Sequence, residues 1–221
     1  MLKEWIRSLC GYYTKANKII RRNINGEKFS KTNLCIYYLS FVCLAVLIVI
    51  GLPSGIPDAF IDYIKDIMAI FVGFFVTVLT FVFDKLDVVK IPTQEEMDKL
   101  PVSDRWSSEK ILKVKQEHNY TIRFFYTVGL IIVFSTLVLC LLIPNIYWPD
   151  FFNIDLHQYE LVSGINEINK DVIIITTHCV FCFVFRFAVI YFTLKVFYFT
   201  LYSVSSLLQV LISKKRIESW K

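Results

Sequence analysis

The chain has 221 residues, 56% of them hydrophobic, with 24 Lys and Arg against 19 Asp and Glu and a formal net charge of +5. A soluble domain is about 45–50% apolar, and the excess here is gathered into four runs at 34–52, 67–83, 124–143 and 172–212. This excludes an ordinary soluble enzyme. It predicts an all-α integral membrane protein of four helical spans, because backbone polar groups in lipid are satisfied only inside helices or closed barrels. The residues outside the runs are too few and too divided to build a second soluble domain.

The predicted layout is a basic amphipathic segment at 1–33, a four-span domain at 34–212 and a basic tail at 213–221. The spans fall at about 34–52, 59–83, 121–143 and 172–200, with a helical hairpin projecting from the membrane at 84–120. At 2–22, Leu2, Trp5, Ile6, Leu9, Tyr12, Tyr13, Ala16, Ile19 and Ile20 share one side of a helix. Lys3, Arg7, Lys15, Lys18, Arg21 and Arg22 share the other. A basic face opposite Trp and Leu marks an interfacial helix lying on a membrane. A helix packed on the same chain or on a partner carries the same pattern. A polar linker follows at 23–33. No apolar stretch within 1–33 precedes a small-residue cleavage site, so the first span is expected to be retained.

The run 34–52 leads into a short turn containing Gly51, Pro53, Gly55 and Pro57. Pro57 suits the first turn of the next helix, and Asp58 is favourable near its N-terminus. That helix is predicted from about Pro57 to Leu86, longer than a bilayer requires. Its centre, IMAIFVGFFVTVLTFVF at 67–83, is free of charge and covers roughly 26 Å, near the lower limit for a span. Turning 100° per residue from Asp62, the residues Asp62, Asp66, Ala69, Gly73, Thr77, Thr80, Asp84 and Asp87 fall within an arc of about 80°. Phe71, Phe74, Phe75, Val78 and Val82 point elsewhere.

This face has two readings. Small residues let helix backbones approach closely, and Gly73-x-x-x-Thr77 is such a pattern. In the other reading, copies assemble with the face inward along a water-filled seam, and Asp58, Asp62 and Asp66 form rings that concentrate cations. The candidate pore-lining residues are Asp62, Asp66, Ala69, Gly73, Thr77, Thr80 and Asp84.

In the connection that follows, Thr93-Gln94-Glu95-Glu96 fits a capping box, which predicts a short helix ending at Pro101. Ser107 or Ser108 can cap another helix, continuous with the third span at 124–143. Arg123 marks the inner edge of that span and Pro144-Asn145 its end. The loop beyond it is rich in aromatic residues, an interfacial belt by default. The last run, 172–212, is about 61 Å long if wholly helical, about twice the hydrocarbon thickness. It either bends at the inner surface or continues out of the membrane as a packed helix. Lys195 is expected at the inner boundary. Arg186 sits deeper, and an ionisable group inside a span is a functional candidate. Its candidate partner is Asp84; the alternative is snorkelling to the inner headgroups.

Basic residues crowd before the first span, between the second and third, and after the fourth, whereas the other two connections hold only Lys65 and Lys170. This alternation predicts four spans with both termini in the cytoplasm. The basicity fits attraction to an anionic inner leaflet better than nucleic-acid binding. Cys35, Cys43, Cys140, Cys179 and Cys182 lie in apolar runs and read as small apolar fillers. Cys179-x-x-Cys182 beside His178 lacks a fourth ligand in sequence, so no metal and no cofactor are expected. There is no nucleophile elbow, phosphate loop, HExxH or dinucleotide fingerprint, and no catalytic role is expected.

Two functions fit these features. One is an oligomeric pore or permeability effector acting on the lipid bilayer. The other is a membrane anchor or sensor whose hairpin and termini recruit a cytosolic protein. A small transporter fits less well, because no internal repeat relates the two halves. The passages IMAIFVGFFVTVLTFVFDKL and KILKVKQEHNYTIRFFYTVGL, about a fifth of the chain, set charges beside short Phe-rich spans. In this layout the chain resembles small multi-span membrane proteins of bacterial anti-phage systems, such as retron membrane effectors or the membrane subunit of Kiwa. Bacteriocin immunity proteins have a similar composition. The anti-phage resemblance implies permeabilisation of the inner membrane, or sensing of its disturbance.

Overall fold

The computed structural model of the chain describes residues 2–22, 27–85, 96, 99, 101, 106–148 and 170–218. Five helices and no β-strand occur among them: α1 (Leu2–Ile20), α2 (Lys31–Gly51), α3 (Asp58–Lys85), α4 (Ser108–Tyr147) and α5 (Lys170–Glu218). Four are long and apolar enough to cross a membrane, over Lys31–Gly51, Asp58–Thr80, Ser108–Asn145 and Thr176–Gln209. The protein is therefore an all-helical, multi-pass membrane protein. Large apolar side chains left open to the surroundings agree with this, among them Leu47, Ile70 and Leu201 at 65%, 65% and 73% exposure; lipid removes the cost that water would impose on such surfaces. The expected helix at 93–100 lies for the most part outside the described residues, as do the aromatic loop at 149–169 and the end of the basic tail at 219–221.

The chain divides into two compact units. One comprises Thr32–Phe75 and Ile131–Tyr198. Its interior is built from Ala45 and Val49 of α2, Ile61, Ile64, Met68 and Phe75 of α3, Ile131, Val138 and Leu142 of α4, and Val189, Ile190 and Val196 of α5. The α2–α3 connection is tight. The Gly55 amide donates to the Leu52 carbonyl at 3.1 Å, and Gly55 has φ 112°, a conformation that only glycine adopts without strain. The Pro57 carbonyl then accepts from the amides of Phe60 and Ile61 at 2.9 and 3.1 Å, which starts α3 as expected of a proline in a first turn. α2 and α5 run antiparallel: Tyr37, early in α2, has its ring 5.2 Å from that of Tyr198, while Pro53, just beyond α2, meets Arg186.

The other unit comprises Met1–Lys31, Val76–Leu130 and Phe199–Lys221. α4 begins at an N-cap, the Lys110 amide donating to Ser107 Oγ at 3.2 Å. α4 runs to Tyr147, one turn farther than the expected stop at Pro144-Asn145. Proline removes a single amide donor, and the next turn closes by the Trp148 amide donating to the Pro144 carbonyl at 2.8 Å. α5 is one uninterrupted helix of 49 residues, a contour of about 74 Å, longer than a span requires.

α1 docks on α4 through a peg and a notch. The Tyr12 hydroxyl donates to the carbonyls of Tyr126 and Phe125 at 3.1 and 3.3 Å, its ring stacks on Tyr126 at 5.3 Å, and Ala16 one turn on is fully buried. The notch exists because position 129 is glycine: a Cβ there would lie 1.8 Å from the Tyr12 hydroxyl oxygen. Arg123, also buried, donates through Nη2 to the Arg22 carbonyl and through Nη1 to the Tyr202 hydroxyl at 3.4 Å, so one guanidinium ties the end of the α1 segment to α4 and α5.

Burial, and then the neighbouring Tyr126, push the Tyr12 phenol from its ordinary 10.0 up to about 12. A raised folded value favours the neutral phenol, which is also the form that donates to the two carbonyls. Its contribution to docking is therefore complete below about pH 10 and lost as pH rises through about 12. Alkaline titration followed by tyrosinate absorbance and by hydrogen exchange in α1 should show α1 released in that window in the parent, with no such step in Tyr12→Phe. Identical profiles would contradict the assignment.

Candidate functional site

α3 has two faces of opposite character. Ile61, Ile64, Met68 and Phe75 are buried. Around the helix axis they centre roughly 150° from the middle of the polar arc. Every described member of that arc, Asp62, Asp66, Ala69, Gly73, Thr77 and Thr80, is exposed. Asp84 lies within α3, but its side chain is outside what is described, and Asp87 lies outside the described residues. Among the described residues the acid, hydroxyl and glycine stripe thus lies on the side of α3 away from its buried face. Around Gly73 the space is open: a Cβ there would meet nothing within 4 Å. Thr80 turns its hydroxyl back to the Val76 carbonyl at 2.9 Å, and Asp62 pairs with Lys65 at 3.0 Å. Asp66 is left as an exposed carboxylate within the candidate span Asp58–Thr80.

Arg186 is 1% exposed and lies on α5 inside its candidate span. Its Nη1 donates to the Pro53 carbonyl at 3.5 Å, so the guanidinium reaches the α2–α3 turn. The expected partner, Asp84, is near the other end of α3 in sequence, and its side chain lies outside the described residues. Cys182, one turn before Arg186, is buried, Cys179 is half-buried and His178 is exposed. Among the described residues no three His, Cys, Asp or Glu side chains converge on a metal-sized site.

The second buried cation of this unit is Lys195, 4% exposed. Its Nζ lies 4.1 Å from the ring centre of Tyr37, 4.2 Å from Phe41, 4.8 Å from Tyr38 and 5.6 Å from Tyr191. Tyr37 and Phe41 are one turn apart on α2, Tyr38 is adjacent, and Tyr191 lies one turn before Lys195 on α5. The ring faces replace part of the hydration that burial removes from the ammonium. Sequence reasoning placed Lys195 at an aqueous boundary and missed this box. The available signal was the Tyr37-Tyr38-x-x-Phe41 cluster, which gathers three rings on one side of a helix.

No known family, curated protein or solved structure matches the chain.

A double-mutant cycle tests the box. Tyr37→Leu should cost about 1–2 kcal/mol more in the parent than in Lys195→Met, because only the parent has a buried ammonium to stabilise. The readout is unfolding of the detergent-solubilised protein. A coupling near zero would mean that the rings only pack against the aliphatic stem.

Proposed function

We propose that the chain is a membrane protein that assembles from several copies and conducts ions across the bilayer, the copies meeting along the exposed face of α3. The observation that carries this reading is the exposure of Asp66, Gly73 and Thr77 on the side of α3 opposite its buried face. A carboxylate within a span is costly against acyl chains and tolerable against water or protein. Open space around Gly73 lets a neighbouring helix approach closely, and a row of hydroxyls and acids beside that approach can hold water.

Charge favours cations on this path. The interior of the unit formed by Thr32–Phe75 and Ile131–Tyr198 holds Arg186 and Lys195, which repel cations, whereas the α3 face carries Asp62 and Asp66. The route therefore runs between copies and not through one of them. With both termini in the cytoplasm, as the distribution of basic residues favours, the acids would stand at the outer mouth of the path. In the bacterial anti-phage setting that the resemblance implies, opening such a path would dissipate the ion gradients of the cell.

The test is ion flux into liposomes reconstituted with purified protein. Asp66→Asn should lower cation flux about tenfold and reduce the preference for cations over anions, since an acid at a mouth raises the local cation concentration by such factors. Thr77→Val should also reduce flux. Thr136→Val, at an exposed hydroxyl of α4, should leave flux unchanged. Liposomes that stay tight with the parent protein, or flux indifferent to both α3 changes, would overturn conduction and leave the anchoring role.

A further inference from the structure

α1 has three faces, one more than a helix needs in order to dock on a protein. Tyr12 and Ala16 define the face held on α4. About 100–120° around the helix from Tyr12, Ile6 and Tyr13 remain 49% and 43% exposed. Farther round, at about 180–240°, come Lys3, Arg7 and Lys18, all exposed. Lys15 is exposed as well, and Glu4 is the sole acid of the helix.

The place of docking supplies a second observation. On α4 the notch residues Phe125, Tyr126 and Gly129 lie in the first turns of the apolar run 124–143, directly after a stretch carrying Lys110, Lys113, Lys115 and Arg123. The clamp therefore holds α1 where an apolar run gives way to charge, the level at which headgroups meet a span. An apolar strip between a docked face and a basic face, held at that level, fits the boundary between acyl chains and anionic headgroups.

We infer that α1 is a clamped lipid-binding arm. Tyr12 and Ala16 fix one face on α4, Ile6 and Tyr13 enter the acyl boundary, and Lys3, Arg7 and Lys18 hold anionic phospholipid headgroups. The occupant of the exposed faces is a bilayer surface rather than a soluble protein, because a basic strip alone would suit either, while an apolar strip beside it at headgroup level suits lipid. The inference is independent of ion conduction, since it concerns the unit that contains α1 and needs no assembly along α3.

The test uses the full chain in nanodiscs of phosphatidylcholine alone, and of phosphatidylcholine with phosphatidylglycerol at about 2:1, with hydrogen exchange of α1 as readout. Phosphatidylglycerol should slow exchange across α1 by about tenfold or more, and high salt should reverse the slowing. The triple change Lys3→Gln, Arg7→Gln and Lys18→Gln should abolish it, whereas Lys3→Arg, Arg7→Lys and Lys18→Arg should keep it, which separates loss of charge from loss of fold. Exchange that is the same in both lipids overturns the inference. So does slowing that survives the Gln changes, or slowing that appears only when soluble cell proteins are added.

Discussion

Rotation of α3 about its own axis would improve one of its faces only at the expense of the other. Ile61, Ile64, Met68 and Phe75 fill the interior of their unit. Turning them outward to bring Asp66 and Thr77 inward would exchange packed apolar volume for buried hydroxyls and a carboxylate. Cavity formation after loss of even one such side chain costs a few kcal/mol, and an unpaired buried carboxylate costs more. The helix is thereby locked with its polar stripe outward. In a bilayer that orientation leaves Asp66 facing lipid, water or another protein, and a carboxylate within a span is costly against acyl chains. Gly73 and Thr77 add little to this cost. They do keep the surface narrow, so that a neighbour can come close enough to cover it. Assembly along α3 is the proposal that would cover this surface.

The same unit handles its two buried cations, Arg186 and Lys195, by different means. Arg186 reaches the carbonyl of Pro53, a group already placed at the surface of a tight turn by Gly55. Lys195 is surrounded by ring faces. Among the described residues, the acids of the α3 stripe, Asp62 and Asp66, are exposed while these two cations are buried. This separation gives the proposed path its sign. At α1 the basic residues Lys3, Arg7, Lys15 and Lys18 are exposed and a neutral peg makes the contact with α4.

The helices were legible in the sequence because four apolar runs are long and nearly free of charge, and hydropathy reports membrane depth directly. The continuity of α5 was not, since no proline or glycine breaks the run and length alone does not distinguish a bend from an extension. The stripe on α3 could be read from helical periodicity, including which residues share it. That it faces away from the protomer depends on where α2, α4 and α5 contribute their side chains, which periodicity does not contain. Arg186 stood out as a charge in an apolar run. Its contact with Pro53 did not, because a backbone carbonyl has no signature in sequence. Tyr12, Gly129 and the rings around Lys195 were missed for a related reason. Tyrosine and glycine are ordinary in membrane helices, and only the meeting of distant positions gives them a role.

The most direct measurement is a single-particle image of the full chain in lipid nanodiscs, at a resolution that distinguishes the faces of α3. The expected result is a closed ring of copies with Gly73 and Thr77 turned toward its axis or into the contacts between copies. Separate protomers with Gly73 and Thr77 bathed in acyl chains would contradict the account, because the stripe would then be covered by neither protein nor water.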